Sequence, residues 1–97
     1  MNTTILSTDE PTAISHAADV LAHGGTVAFP TDTVYGLAAA LDEEAIERLY
    51  TIKGREHTKA IAVLLADADA LGQIAANSNP AAMSLARAFW PGALTLV

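Results

Sequence analysis

Cysteine is absent from this chain, which excludes a disulfide framework, a thiol nucleophile and a thiolate metal site, and suits a reducing compartment. Positive charge is scarce. Five Lys and Arg stand against eleven Asp and Glu, a net of −6, so a broad surface for phosphates or anionic headgroups is disfavoured and strong direct nucleic-acid binding is not expected. No uninterrupted apolar run approaches the ~20 residues that span a bilayer. The opening MNTTILSTDEP has neither the basic start nor the apolar core of a signal peptide. The expectation is a cytoplasmic protein with no membrane partner. Familiar catalytic signatures are missing too: there is no G-x-x-x-x-G-K-[ST] loop, no G-x-G-x-x-G fingerprint, no H-E-x-x-H pair and no G-x-S-x-G elbow. His16 and His23 fall on one predicted helix and His57 stands alone in a loop, so no metal site is expected.

What remains is apolar and patterned. At 52% hydrophobic the chain lies far above the level of disordered sequences, and 97 residues suit one modest domain at most. TTIL is a short possible strand. STDEPTAISHAADVLAHGG reads as a helix, capped by Thr8 or Asp9, with Pro11 in its first turn, Gly24 past its end, and Ile14, Ala17, Ala18 and Leu21 on one buried face. TVAF reads as a buried strand and TVYGLAAAL as a return to extended structure. DEEAIERLYTIKGR is a second helix, with Asp42 as cap, acids in its first turn and Lys53 in its last before Gly54. AIAVLLAD is the strongest strand signal. ADALGQIAA and NPAAMSLARAFW are helical, the latter started by Asn79-Pro80, and ALTLV begins a final strand after the Pro91-Gly92 break. Strands alternating with helices predict an α/β domain. Because ALTLV stops at Val97 without a turn or cap, the domain is expected to be truncated.

Two constellations can carry chemistry. In FPTDTVYGLAA, Thr31, Asp32, Thr33 and Tyr35 bring short polar groups to the carboxyl end of a predicted strand, where open α/β sheets bind ligands. The competing reading is a turn in which Thr and Asp bond their own backbone. The second is the clustering of four of the five basic residues, Arg48, Lys53, Arg55 and Lys59, within twelve positions. A guanidinium grips phosphate with two parallel bonds and an ammonium acts as a point charge, so Lys53, Arg55 and Lys59 suit a polyphosphate. The competing reading is complementation of a helix C-terminus.

GGTVAFPTDTVYGLAA, YTIKGR and FWPGALTLV, in that order and spacing, resemble the Sua5/YrdC/YciO family over nearly the whole chain, from about residue 12 to Val97. The resemblance implies a twisted, open, mixed sheet with flanking helices around a positively lined cavity, of which residues 1–97 would form the N-terminal part of a single domain. It implies L-threonylcarbamoyladenylate synthesis: L-threonine, bicarbonate or CO2, and ATP give threonylcarbamoyl-AMP and pyrophosphate. The product passes to t6A transferase proteins and tRNA, and Mg2+ rides with the nucleotide. Thr31, Thr33 and Tyr35 match the threonine pocket. Lys53 and Arg55 match the K-x-R motif, both as ATP-binding and as catalytic positions, and Lys59 matches a further ATP contact. With this resemblance the threonine-rich stretch reads as a site rather than only a turn.

The chain also departs from the family. Glu56 follows K-x-R where many relatives have proline. Lys59-Ala60-Ile61 stands for K-P-L, Ala93 follows W-P-G, and Leu64 occupies a position where some archaeal relatives carry a histidine that contacts threonine. The family's S-x-N motif, which completes the ATP site, is absent; Asn77-Ser78-Asn79 precedes the W-P-G segment and reads as a loop and helix cap. The isolated chain is therefore expected to be inactive. The alternative function is a non-catalytic, RNA-binding or regulatory member of the family. A carbamoyl-transfer module of hydrogenase maturation is disfavoured, because no acylphosphatase-like or zinc-finger segment precedes the motif.

Overall fold

A computed structural model describes residues 3–54, 56–77 and 79–97. The chain divides into two units, Met1–Ala60 and Ile61–Val97.

In the first unit, helix α1 covers Ala13–Ala22. It starts later than the pattern predicts. Thr8 and Asp9 do not cap it; Ser7 does something else with that segment, accepting from Asp9 N (3.2 Å) with its hydroxyl and from Glu10 N (3.0 Å) with its carbonyl. A serine that bonds its own backbone this way holds a turn in place of a helix start. Thr12 takes the N-cap position without a side-chain bond. The inward face is also rotated from the predicted one: Ala13, Ala17, Val20 and Leu21 are half-buried, whereas Ala18 is exposed and Ile14 is 86% exposed.

The end of α1 follows the sequence closely. Gly24 takes a left-handed φ of +83°, Gly24 N bonds Leu21 O (3.0 Å) and Gly25 N bonds Val20 O (2.9 Å). This is a Schellman closure, and it accounts for both glycines. Gly24 supplies the positive φ. At Gly25 a Cβ would sit 2.7 Å from Val20 Cγ1, so only hydrogen fits.

Strands β1 (Val27–Phe29) and β2 (Gly36–Ala38) pair antiparallel, with Val27 opposite Ala38 and Phe29 opposite Gly36. The Phe29 ring lies over Gly36, where an added Cβ would approach its Cζ to 3.0 Å. Residues 30–35 are therefore a hairpin loop closed by an aromatic–glycine pair.

Helix α2 (Glu43–Lys53) forms as predicted. Asp42 accepts from Ala45 N at 3.1 Å, Glu43 and Glu44 lie at the positive end of the dipole, and Lys53 lies at the negative end ahead of Gly54, which has φ +61°. Ala45 and Leu49, one turn apart, are its buried residues. Arg48 reaches the Gly24 carbonyl with Nη1 and ties α2 to the end of α1.

The second unit holds a 3-10 turn at Ala68–Ala70, α3 (Leu71–Ile74) and α4 (Pro80–Phe89). Asp67 accepts from Ala70 N (3.1 Å) and Asn79 from Ala82 N (2.8 Å), so a short polar cap starts each of the first and last of these. The W-P-G break is locally built: the Trp90–Pro91 peptide is cis, Trp90 Nε1 donates to Leu94 O at 2.7 Å, and a Cβ on Gly92 would run into the Phe89 carbonyl.

Three predicted strands do not form among the described residues. TTIL, AIAVLLAD and ALTLV are irregular, and β1–β2 is the ladder observed. Apolar β-formers favour burial in a sheet but supply no partner strand, and an unpaired strand leaves its N–H and C=O groups without a ladder. The α/β character thus holds as a mixture of helices with a small two-stranded sheet. Enclosure is slight: among the described residues Ala45, Leu49 and Ala86 are the buried apolar ones.

Candidate functional site

The hairpin loop between β1 and β2 carries the first set of candidate residues. Thr31 Oγ1 donates to the Val34 carbonyl, and Thr33 N donates to Thr31 Oγ1 at 3.2 Å. One hydroxyl thus spans three residues of loop and fixes its curvature. Thr33 Oγ1 lies 3.4 Å from Thr31 Oγ1, near the limit of a hydrogen bond, and has no other partner among the described residues. Pro30, Thr31, Thr33, Val34 and Tyr35 line a small open depression of about 120 Å³. Tyr35 is 79% exposed and Val34 73% exposed, so an aromatic and an aliphatic side chain flank the hydroxyls in solvent. Asp32 makes no hydrogen bond or ion pair among the described residues.

The turn and the site are not exclusive here. Thr31 serves the turn, which leaves Thr33 and Tyr35 as the groups able to meet a small polar ligand with hydroxyls. The two strand ends set where the loop stands, and the Phe29–Gly36 pair closes its base.

The second set sits at the end of α2. Lys53, Gly54, Glu56 and Lys59 line an open depression of about 410 Å³. Arg55 lies outside the described residues. A helix C-terminus carries about half a negative charge, and Glu56 adds a full one on the rim. An anion could settle there only because Lys53 and Lys59 reverse that field. Arg48, the remaining cation of the cluster, does not line this depression; its guanidinium is engaged with Gly24.

The two depressions share no lining residue. The structure therefore brings Thr31, Thr33 and Tyr35 together, and separately Lys53 with Lys59. Leu64 belongs to the second unit and is exposed.

Sequence reading passed over three residues next to the cationic depression. His57 Nε2 lies 2.9 Å from the Glu47 carboxylate, its ring stacks on Tyr50 with centroids 4.7 Å apart, and Tyr50 Oη donates to Lys59 O at 2.7 Å. A signal was present in the spacing. Glu47, Tyr50 and Lys53 recur every three residues and so climb one side of α2. Among the described residues no group of three or more His, Asp or Glu could hold a metal ion, and no helix is long and apolar enough to cross a membrane.

Comparison with known proteins adds the following. A family model covering Sua5, YciO and YrdC, described as telomere recombination, matches residues 19–97. A Bacillus subtilis protein named threonylcarbamoyl-AMP synthase is 42% identical over 93 residues, covering 95% of this chain and 27% of that protein. A Pyrococcus abyssi protein of the same name is 45% identical over 82 residues, 84% of this chain and 24% of its own length. One from Halorhodospira halophila is 33% identical over 88 residues, 90% of this chain and 46% of its own. The chain thus spans about a quarter to under half of these relatives. No solved structure matches it.

Proposed function

This chain belongs to the Sua5/YciO/YrdC family, and from that premise we propose that it contributes to an L-threonylcarbamoyladenylate synthase, as the N-terminal part of a single domain. The observation that carries the proposal is that the Met1–Ala60 unit holds both a hydroxyl-lined depression and a cation-lined one. These are the two chemistries that an amino acid and a polyphosphate require.

The amine of L-threonine adds to CO2, forming an N–C bond and losing a proton, to give a carbamate. A carbamate oxygen then attacks the α-phosphorus of ATP as the bond to pyrophosphate breaks. Neither step needs a protein nucleophile, and the chain has no cysteine or serine elbow to offer one. What the reaction needs is two anions held in line and their charge offset, where positioning and electrostatics carry most of the catalysis. Thr33 and Tyr35 hold the threonine by hydroxyl contacts, and Thr31 holds the loop that presents them. Lys53 and Arg55 are the proposed partners of the phosphates along which negative charge develops, and Lys59 adds a further ATP contact. Mg2+ would accompany the nucleotide and offset part of its charge beside Lys53 and Lys59.

In this reading β1 and β2 belong to a larger twisted mixed sheet that wraps a positively lined cavity, and the product goes to t6A transferase proteins and tRNA in the cytoplasm. A net charge of −6 gives little support to RNA binding as the main role.

The test is threonine-dependent pyrophosphate release from ATP and bicarbonate by a protein that carries this chain within a whole family domain, with and without Lys53→Ala. Release that requires threonine and drops by about 100-fold or more on removing a phosphate-facing cation is expected. Release indifferent to threonine would refute the assignment.

A further inference from the structure

We propose that Glu47, Tyr50 and His57 form a clasp that positions Lys59 for the polyphosphate of ATP, an inference that rests on the reading of the cationic depression given above. After Gly54 the chain leaves α2 and reverses through a hydrogen-bonded turn, in which Lys59 N bonds Glu56 O at 3.1 Å. Nothing in the sequence of that turn is apolar enough to bury it, and residues 56–60 are exposed. It is held by side chains. The imidazole of His57 stacks flat on the Tyr50 ring, at an interplanar angle of 21°, and directs Nε2 at the Glu47 carboxylate. A carboxylate only accepts, so Nε2 carries the proton and donates. The Tyr50 hydroxyl then reaches past the stack to the carbonyl of Lys59 itself.

These contacts have one geometrical effect. Glu47, Tyr50 and Lys53 share a side of α2, so folding the turn back along that side puts Lys59 on the rim that Lys53 already occupies. Without the clasp, Lys59 would stand on a mobile loop, and a polyphosphate would have to order backbone and ammonium stem together, which opposes binding. Neither Tyr50 nor His57 lines the cationic depression. They act through Lys59 and are positioning residues.

The experiment measures ATP binding, in Mg2+, by calorimetry, to a protein that carries this chain within a whole family domain, for Tyr50→Phe, Lys59→Ala and the double variant. Tyr50→Phe keeps the stacking ring and deletes only the hydroxyl. It is expected to weaken ATP binding about 2- to 10-fold, the equivalent of one net hydrogen bond, with the helical circular dichroism and the unfolding midpoint unchanged. In the Lys59→Ala background the same substitution should cost nothing further, because the residue it positions is gone. In the enzymatic assay of the same whole-domain protein the KM for ATP should rise while that for L-threonine stays put. An equal loss from Tyr50→Phe in both backgrounds, or no loss in either, overturns the clasp; if Lys53→Ala still weakens ATP binding, the reading of the depression stands. If neither Lys53→Ala nor Lys59→Ala weakens it, the site reading fails and the clasp with it.

Discussion

Thr31 and Thr33 are two residues apart in one loop, yet their hydroxyls have different partners. Thr31 Oγ1 donates to Val34 O and accepts from Thr33 N, while Thr33 Oγ1 has only a 3.4 Å neighbour. Replacing them should therefore separate a fold effect from a ligand effect. Thr31→Val is expected to lower stability by roughly 0.5–1.5 kcal/mol, read from thermal unfolding, and to impair threonine use as a consequence. Thr33→Val should leave the unfolding midpoint in place and raise the KM for L-threonine by about 10-fold, the scale of one lost ligand hydrogen bond. A Thr33→Val protein that unfolds early but uses threonine normally would reverse these assignments. Gly36 shows the same distinction between chemistry and space. Its φ is not left-handed; glycine is there because the Phe29 ring covers the position.

At the scale of elements, α2 organises the Met1–Ala60 unit. Its buried pair Ala45 and Leu49 faces inward, Arg48 fastens the end of α1, and the Glu47, Tyr50 and Lys53 side receives the returning turn. Its start depends on a single side chain, Asp42, bonded to Ala45 N. Asp42→Ala should cost about 1 kcal/mol, seen as a lower unfolding midpoint and reduced helical signal, and Asp42→Ser should recover most of it. Helix α1 makes the opposite case. It lacks a side-chain N-cap and acids in its first turn, and its lock lies at the other end, in the Gly24-Gly25 closure. Capping explains why the start of α2 could be read from composition and that of α1 could not. Asp42 has no competing role, whereas Ser7 accepts from Asp9 N and Glu10 N and holds Thr8 and Asp9 in a turn ahead of the helix.

For the whole molecule the relevant fact is how little is enclosed. Ile5, Ile14, Leu64 and Phe89 stand in solvent, and none of the large side chains described is fully buried. Burying one Leu or Phe side chain contributes about 1.5–3 kcal/mol. An isolated two-stranded hairpin such as β1–β2 is marginal by itself. The 97-residue chain is therefore expected to unfold over a broad temperature range, to bind the dye ANS below that range, and to show weak amide protection outside α2 and α4. A sharp, cooperative transition without dye binding would contradict this. The helices that persist should be those with caps, since each cap satisfies backbone groups without help from tertiary burial.

The sequence by itself determined the elements whose signals are local: α2 from Asp42 to Gly54, α4 from Asn79-Pro80, the closure of α1 at Gly24, and the extended pieces on either side of the threonine loop. It also determined family membership, through motifs that are short and contiguous. Only the tertiary structure decided which extended segments pair, because a ladder is a property of two segments and AIAVLLAD carries no record of its partner. It alone decided that Ile14 faces out while Val20 faces in, since adjacent arcs of an alanine-rich helix are nearly equivalent until a strand is laid against one of them. And it alone joined His57 to Glu47 and Tyr50. Those residues are ten and seven positions apart, a separation that no local rule of helix or turn connects, and they meet because the turn closed by Lys59 N and Glu56 O brings the chain back along the helix it has just left.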